Sequence, residues 1–187
     1  MQGSTAVPTE EASVRGYFDL VSRTLVLGAT LATVLILVLA VFPALPIGGE
    51  MLDVKAGYTY PEVIAAMESY GEQGRRVYAW SSGTLDTLLP LVYVSLLAGF
   101  LYRFRPTERL WKLAYLPLAA GALDLGENGL IIFMLTRYPK VSSYQAATAS
   151  FVTVSKGYAI SGCLVLAVAS ASTTAVRALR QRIGRAS

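Results

Sequence analysis

Four long apolar stretches constrain this chain more than any other feature of its sequence. The first, from Thr24 to Phe42, is an almost uninterrupted run of Leu, Val, Ala and Ile. At a rise of about 1.5 Å per residue, a helix over such a run crosses a hydrocarbon core about 30 Å thick. A hydrophobic fraction of 54% and a charged fraction of 15% agree with membrane insertion. The chain is therefore predicted to be an all-α integral membrane protein.

The four stretches predict one four-helix transmembrane domain over residues 15–187. The first apolar run is longer than the apolar region of a cleaved signal peptide, so a retained span is expected. Pro117 is expected to kink the third span, because proline removes a hydrogen bond from a helix interior. The predicted spans are about 24–43, 83–104, 110–135 and 146–168.

Two of the segments outside these spans have a recognisable pattern. Residues 1–14 are small and polar and predict a disordered tail. The segment 44–80 joins the first two spans. Within it Thr59 and Glu62 have the spacing of a helical capping box, and apolar residues then recur at helical intervals. The segment therefore predicts a short amphipathic helix that ends near Gly71.

Basic residues flank the spans unequally and predict the orientation. Ten Lys or Arg residues lie beside the membrane on the side of the two termini, and five lie on the other side. Cytoplasmic loops carry an excess of Lys and Arg, so both termini are predicted to be cytoplasmic and 44–80 external. This topology also accounts for the net charge of +4 without a nucleic acid partner. The predicted location is the plasma membrane, the inner membrane of a bacterium, crossed several times.

Five polar or ionisable residues interrupt the later spans: Asp86, Asp124, Glu127, Asn128 and Lys156. A charge at the centre of a membrane helix costs roughly 2.5 to 3.5 kcal/mol on insertion scales, so such residues persist where they pair or serve a function. Asp124, Glu127 and Asn128 share one helix face. Counted from the helix ends, Glu127 and Lys156 lie at the same depth. An outward-opening polar cavity is therefore predicted. Small residues that allow close helix approach or leave room for a ligand are Gly121, Ala122, Gly126, Gly129, Gly157 and Gly162.

The charges of this constellation predict roles for its members. Three carboxylates and one lysine do not balance, which favours a functional site over purely structural pairing. The predicted catalytic residues are Asp124 and Glu127, either of which could act as a base, and Lys156, which would stabilise developing negative charge. The predicted substrate-binding residues are Asp86, Tyr93, Asn128, Arg75 and Arg76.

Composition excludes several kinds of cofactor site. The chain has no histidine and a single cysteine, Cys163. His-ligated haem, the usual zinc sites, a Ser-His-Asp triad and an internal disulfide are therefore excluded. A hard divalent cation among the carboxylates would be repelled by Lys156, so no metal or other cofactor is predicted.

Three functions fit this pattern. The first is binding of a lipid-like or amphiphilic small molecule from the membrane, with acid–base chemistry on it if the protein is an enzyme. The second is a transporter or channel coupled to protons or cations, which with four helices would need a homo-oligomer. The third is a non-catalytic subunit of a larger membrane complex. The cytoplasmic halves of the second and fourth spans are nearly free of polar residues, which favours the first function over conduction.

Overall fold

The computed structural model describes residues 10–183, which are mostly helical and contain no strand. Four helical stretches among them are long and apolar enough to cross a membrane. The predicted all-α class and the presence of four candidate spans are therefore confirmed, whereas the orientation stays a prediction. The candidate spans are Thr24–Ala44, Tyr60–Arg103, Glu108–Arg137 and Ser143–Gln181.

The described residues form six α-helices joined by short segments. The second helix does not stop at its last α-helical residue but continues as a π-helical turn, Leu37–Val41, and a 3₁₀ turn, Phe42–Ala44. A further 3₁₀ turn, Leu52–Val54, lies between the second and third helices. The helices are α1 Glu10–Val21, α2 Thr24–Ile36, α3 Tyr60–Gly83, α4 Leu85–Arg103, α5 Leu116–Arg137 and α6 Ser143–Ile183.

Two helices extend beyond their predicted limits. α1 begins at Glu10, so residues 10–14 of the predicted disordered tail are helical, while residues 1–9 lie outside the described part of the chain. The sequence predicts an end of the fourth span near 168, but α6 continues to Ile183. The added residues are rich in Ala and Arg, which favour helix. The 41 residues of α6 extend over about 60 Å, twice the thickness of a hydrocarbon core.

The third candidate span begins differently from its predicted form. Glu108–Tyr115 is a 3₁₀ helix, and the α-helical geometry of α5 starts at Leu116. Pro117 therefore lies in the first turn of α5. Its missing N–H has no intrahelical acceptor there, so it costs no hydrogen bond. In place of the predicted kink within a helix, Pro117 marks the start of one.

α3 consists of two helical pieces. It begins after the predicted capping box, in which the Thr59 N–H donates to Glu62 Oε2 at 2.6 Å. At Gly71 the backbone leaves helical geometry, with φ 63° and ψ −177°, values that glycine adopts far more easily than other residues. The first piece buries Val63 and Met67 against the rest of the protein. The location of this piece outside the membrane stays a prediction.

α4 and α5 are the central helices, because α5 packs against α3, α4 and α6 and α4 packs against all five other α-helices. α2 lies at the edge of the bundle and packs mainly against α4. Near the start of α4 the core is aliphatic and aromatic, with Ile131 and Met134 of α5 against Met67 and Tyr78 of α3. The polar residues predicted to form a site lie on α4, α5 and α6, except Arg75 and Arg76, which lie on α3.

An aromatic cluster fills the other end of α4. Phe18 of α1 is only 1% exposed and stacks on Tyr102, with ring centroids 5.5 Å apart. Trp111 packs edge-on against the same Phe18 ring at 6.2 Å. Gly99 allows α1 to approach α4, since an added Cβ would lie 2.3 Å from the Val21 carbonyl oxygen. This end of the bundle is therefore tightly packed.

The glycines of the predicted spans divide into two groups. Gly121 of α5 permits close helix packing, because an added Cβ would lie 2.6 Å from Val94 Cγ2 of α4. Four others face open space on the outer surface and neither bring helices together nor border the core. They are Gly126, Gly129, Gly157 and Gly162.

Candidate functional site

A buried ion cluster joins α5 to α6. It consists of Lys156, Glu127 and Asp124: the Lys156 ammonium pairs with the Glu127 carboxylate, and Lys156 Nζ lies 3.3 Å from Asp124 Oδ1. The Glu127 side chain is completely buried, and those of Asp124 and Lys156 are 4% and 12% exposed. Such charges are tolerated in a bundle interior only when they are paired. The structure thus brings together the three residues predicted to be catalytic.

Hydroxyl groups complete the surroundings of Glu127. Thr153 Oγ1 donates to Glu127 Oε1, and the Tyr58 hydroxyl lies 3.2 Å from Thr153 Oγ1. The Tyr58 N–H also donates to Ser150 Oγ at 2.9 Å. Burial is the main reason that the pKa of Tyr58 is raised to about 12. Its hydroxyl therefore stays protonated at neutral pH.

Residues 45–59, which join α2 to α3 and are called the covering segment below, fold over the ion cluster. Lys156 Nζ donates to the backbone carbonyl of Asp53 at 3.3 Å. The Tyr78 hydroxyl of α3 donates to the Asp53 carboxylate and accepts from the Leu52 N–H at 2.9 Å. Leu52 is itself fully buried. At residues 52–53 the covering segment is thus tied to both α3 and α6, in addition to the Tyr58 contact with α6. The part of Asp53 could not be predicted from the sequence, because this residue lies in a short turn without helical periodicity.

A cavity of about 350 Å³, the α2–α4 cavity, lies between the end of α2, the covering segment and the first turns of α4. Asp53 and Asp86 lie in its wall, and Glu50 lines it too. The residues of the ion cluster are not among those that line it. The other lining residues are mostly apolar: Val38, Phe42, Pro43, Leu45, Ile47, Gly49, Met51, Val54 and Leu89.

Asp86 is the buried carboxylate that the described structure leaves unpaired. It is 5% exposed. Its backbone carbonyl accepts a hydrogen bond of 2.8 Å from Asn128 Nδ2, which holds the first turn of α4 against α5. Its carboxylate makes no hydrogen bond or ion pair with any residue of 10–183. Asn128 therefore positions Asp86 through the backbone and leaves the carboxylate free to meet a molecule in the cavity.

The remaining predicted residues lie deeper or elsewhere. The Tyr93 hydroxyl is buried and faces Asp124 without a hydrogen bond of good geometry. Arg75 donates to the Met67 carbonyl at 2.7 Å and stacks over the Tyr138 ring at 4.3 Å. Arg76 is exposed, and its guanidinium pairs with Glu72. The two arginines line a separate cleft between α3 and α5, which shares no lining residue with the α2–α4 cavity.

No family model, curated protein or solved structure matches this chain. Its function is therefore inferred from the chemistry of the site.

The ion cluster already contains a cationic group, the Lys156 ammonium, at the position where a metal ion could bind. The Lys156 ammonium already lies between the carboxylates of Asp124 and Glu127, where a bound cation would otherwise be expected. Within residues 10–183, no group of three or more His, Cys, Asp or Glu is placed to hold a metal ion. The polar groups of the described site are carboxylates, hydroxyls and one ammonium, and the absence of a cofactor stays a prediction.

The hydrogen bonds of Tyr78 predict how much it contributes to holding the covering segment. Tyr78→Phe leaves the Leu52 N–H and the Asp53 carboxylate without this partner. Loss of these bonds should lower the free energy of unfolding by about 1–2 kcal/mol. Denaturant unfolding in detergent measures this loss, and hydrogen exchange should become faster in the covering segment. Tyr144→Phe, at a tyrosine that is 78% exposed on α6, is the matched control. Equal stability and exchange in both variants would contradict the assignment.

Proposed function

We propose that this protein binds an amphiphilic, lipid-like small molecule in the α2–α4 cavity. The observation that carries the proposal is Asp86, an unpaired and nearly fully buried carboxylate on the wall of a mostly apolar cavity. Small-molecule sites are commonly apolar with a few fixed polar groups, and a volume near 350 Å³ is at the lower end of their usual range. Such a site suits a molecule with one polar end and one apolar end.

The position of the cavity supports access from the membrane. One of its walls is the end of α2, the candidate span with the highest mean hydropathy and with only 6% of its apolar window buried. An amphiphile in the surrounding bilayer could therefore enter beside α2 without crossing the bundle. In this proposal both termini are cytoplasmic and the covering segment is external, in agreement with the distribution of basic residues.

The ion cluster and Asp86 have different roles in this proposal. The ion cluster holds α5, α6 and the covering segment together, because Lys156 of α6 contacts both α5 and the covering segment. Asp86 is the group that contacts the ligand. Acid–base catalysis by Asp124 or Glu127 would require the covering segment to move first, since neither residue lines the cavity. Binding at Asp86 therefore needs no such movement. Catalysis by Asp124 or Glu127 remains a further prediction.

The opposite end of the bundle favours binding over conduction. A conducting path would have to continue past the aromatic cluster of Phe18, Tyr102 and Trp111. All three side chains are buried there, and Gly99 brings α1 into backbone contact with α4. A cavity closed in this way supports a bound molecule rather than a moving ion.

A substitution that fills the cavity tests the proposal. Leu89 lines the cavity but carries no charge, so Leu89→Trp should displace a bound molecule and leave the ionic groups in place. Native mass spectrometry of the protein purified from membranes should show a bound amphiphile in the wild type and its loss in this variant. Leu88→Trp, at the neighbouring residue that is 45% exposed, should retain it.

Two outcomes would count against the proposal. One is a wild-type protein that carries no molecule and takes up none from added membrane lipid extract. The other is equal occupancy in the wild type and in Leu89→Trp. Circular dichroism spectra of the two tryptophan variants establish that both keep the helical fold.

A further inference from the structure

We infer that the ligand of the α2–α4 cavity carries a primary ammonium headgroup, which the Asp86 carboxylate binds. The inference rests on the proposed function and specifies its ligand class. It starts from the geometry of Asp86, whose side chain is 5% exposed, lines the cavity and has no partner among the described residues. A buried carboxylate without a donor is costly, so a ligand that supplies one is strongly favoured over a ligand that supplies none.

The charges around Asp86 favour a cation. Four charged groups lie near Asp86 on the neighbouring elements. They are the Asp53 carboxylate of the covering segment, the Asp124 and Glu127 carboxylates of α5, and the Lys156 ammonium of α6. Lys156 is already shared between two of these carboxylates. Asp53 receives a hydrogen bond from a tyrosine but no opposite charge. One positive charge in the cavity would therefore interact with an excess of negative charge, whereas an anionic headgroup would be repelled.

The lining of the cavity distinguishes an ammonium from a metal ion. Calcium takes six to eight oxygen ligands and magnesium six, including several waters. The cavity offers the carboxylates of Asp53 and Asp86, while Glu50 at its edge pairs with Lys55 at 3.4 Å. The rest of the wall is mainly hydrocarbon. An ammonium group on an alkyl chain satisfies both parts of such a wall, because its donors reach carboxylates and its chain contacts apolar side chains.

The aromatic content of the cavity favours a primary ammonium over a quaternary one. Quaternary ammonium groups are typically held by several aromatic faces. Phe42 is the one aromatic residue that lines this cavity in the described structure. A primary ammonium instead uses directed hydrogen bonds, which Asp86 can accept.

The size of the cavity implies that it holds the head of the ligand and the first part of its chain. A volume of about 350 Å³ is too small for a whole two-chain lipid. The rest of the chain would lie along the end of α2, where Ile36 and Leu39 are 59% and 71% exposed. The same headgroup chemistry could come from a single-chain amine or from phosphatidylethanolamine.

A set of probes that differ only in the headgroup tests the inference. We would titrate hexadecylamine, hexadecanol and hexadecanoate into the full-length protein in maltoside micelles and measure occupancy by native mass spectrometry. The amine should bind the wild type at least about tenfold more tightly than the alcohol, the size expected for one charge-assisted hydrogen bond. Asp86→Asn should abolish this difference. Glu68→Gln, which removes an exposed carboxylate of α3 away from the cavity, should preserve it.

A second pair of probes identifies the source of the headgroup. Phosphatidylethanolamine and phosphatidylglycerol with equal chains are compared in the same way. Preference for the ethanolamine lipid supports a membrane lipid as the ligand, and binding of hexadecylamine alone supports a free amine.

The outcomes separate this inference from the proposed function. Equal affinity of the wild type for hexadecylamine and hexadecanol would overturn the ammonium headgroup. If Leu89→Trp abolished the binding of both probes, the cavity would still be an amphiphile site. If the wild type binds no probe better than Leu89→Trp does, the proposed function fails as well. The comparison of amine with alcohol uses the wild type alone, so it remains decisive even if Asp86→Asn does not fold.

Discussion

Lys156→Met is expected to lower the free energy of unfolding by about 3–5 kcal/mol, the usual cost of removing one partner from a buried ion pair. The substitution keeps an unbranched side chain of similar size but removes the one positive charge of the ion cluster. The Glu127 and Asp124 carboxylates, both at least 96% buried, would then face each other without compensation. The Asp53 carbonyl would lose its donor too. Thermal and denaturant unfolding in detergent micelles measure the loss.

Two further variants make this result specific. Lys55→Met removes a lysine whose partner, Glu50, is 65% exposed, so its effect should be within about 1 kcal/mol of zero. Removing the uncompensated charges with Asp124→Asn and Glu127→Gln in the Lys156→Met background should restore part of the lost stability. A Lys156→Met protein as stable as the Lys55→Met control would show that the ion cluster does not hold the bundle together.

Gly74→Ala is expected to displace the covering segment. An added Cβ at Gly74 would lie 2.0 Å from the Ile47 carbonyl oxygen and 2.9 Å from its carbonyl carbon. Backbone atoms cannot rotate away as the end of a side chain can, so residues around 47 must move. The strain should lower the free energy of unfolding by up to about 3 kcal/mol, the upper part of the usual range for overpacking. Hydrogen exchange should become much faster across 45–59, and the amphiphile should be lost from the cavity.

Gly126→Ala is the matched control for this prediction. An added Cβ at Gly126 meets nothing within 4 Å, so replacement by alanine should be neutral or should stabilise α5 by up to about 1 kcal/mol. Retention of normal exchange in 45–59 and of the bound molecule in Gly74→Ala would contradict the part assigned to the covering segment.

Helical regularity explains why much of the ion cluster could be predicted from the sequence. Asp124, Glu127 and Asn128 share a face because residues three and four positions apart always do in a helix. The constant rise per residue then placed Glu127 level with Lys156, and the two side chains do pair. Periodicity and rise are local properties of a helix, so the shared face and the common depth needed no tertiary information, whereas the pairing also required α5 to pack against α6.

The contribution of the covering segment could not be predicted in the same way. Its position depends on contacts between residues about 25 apart in the chain, such as Tyr78 with Leu52 and Asp53, and on the absence of a side chain at Gly74. Such contacts produce no periodic pattern. The same limit applies to Arg75, which the sequence predicts near the start of the second span but which in the structure stacks over Tyr138, away from the cavity.

The sequence by itself determined the helical class, the four candidate spans and the common depth of Glu127 and Lys156, because hydrophobic length and helical periodicity are local properties of the chain. Only the tertiary structure decided which carboxylate remains free. Asp124 and Glu127 are engaged by Lys156, while Asp86 is held by its backbone at the wall of the cavity with its carboxylate unpaired. The physical reason is that one ammonium can reach only the carboxylates that the packing of α4, α5 and α6 brings within contact distance.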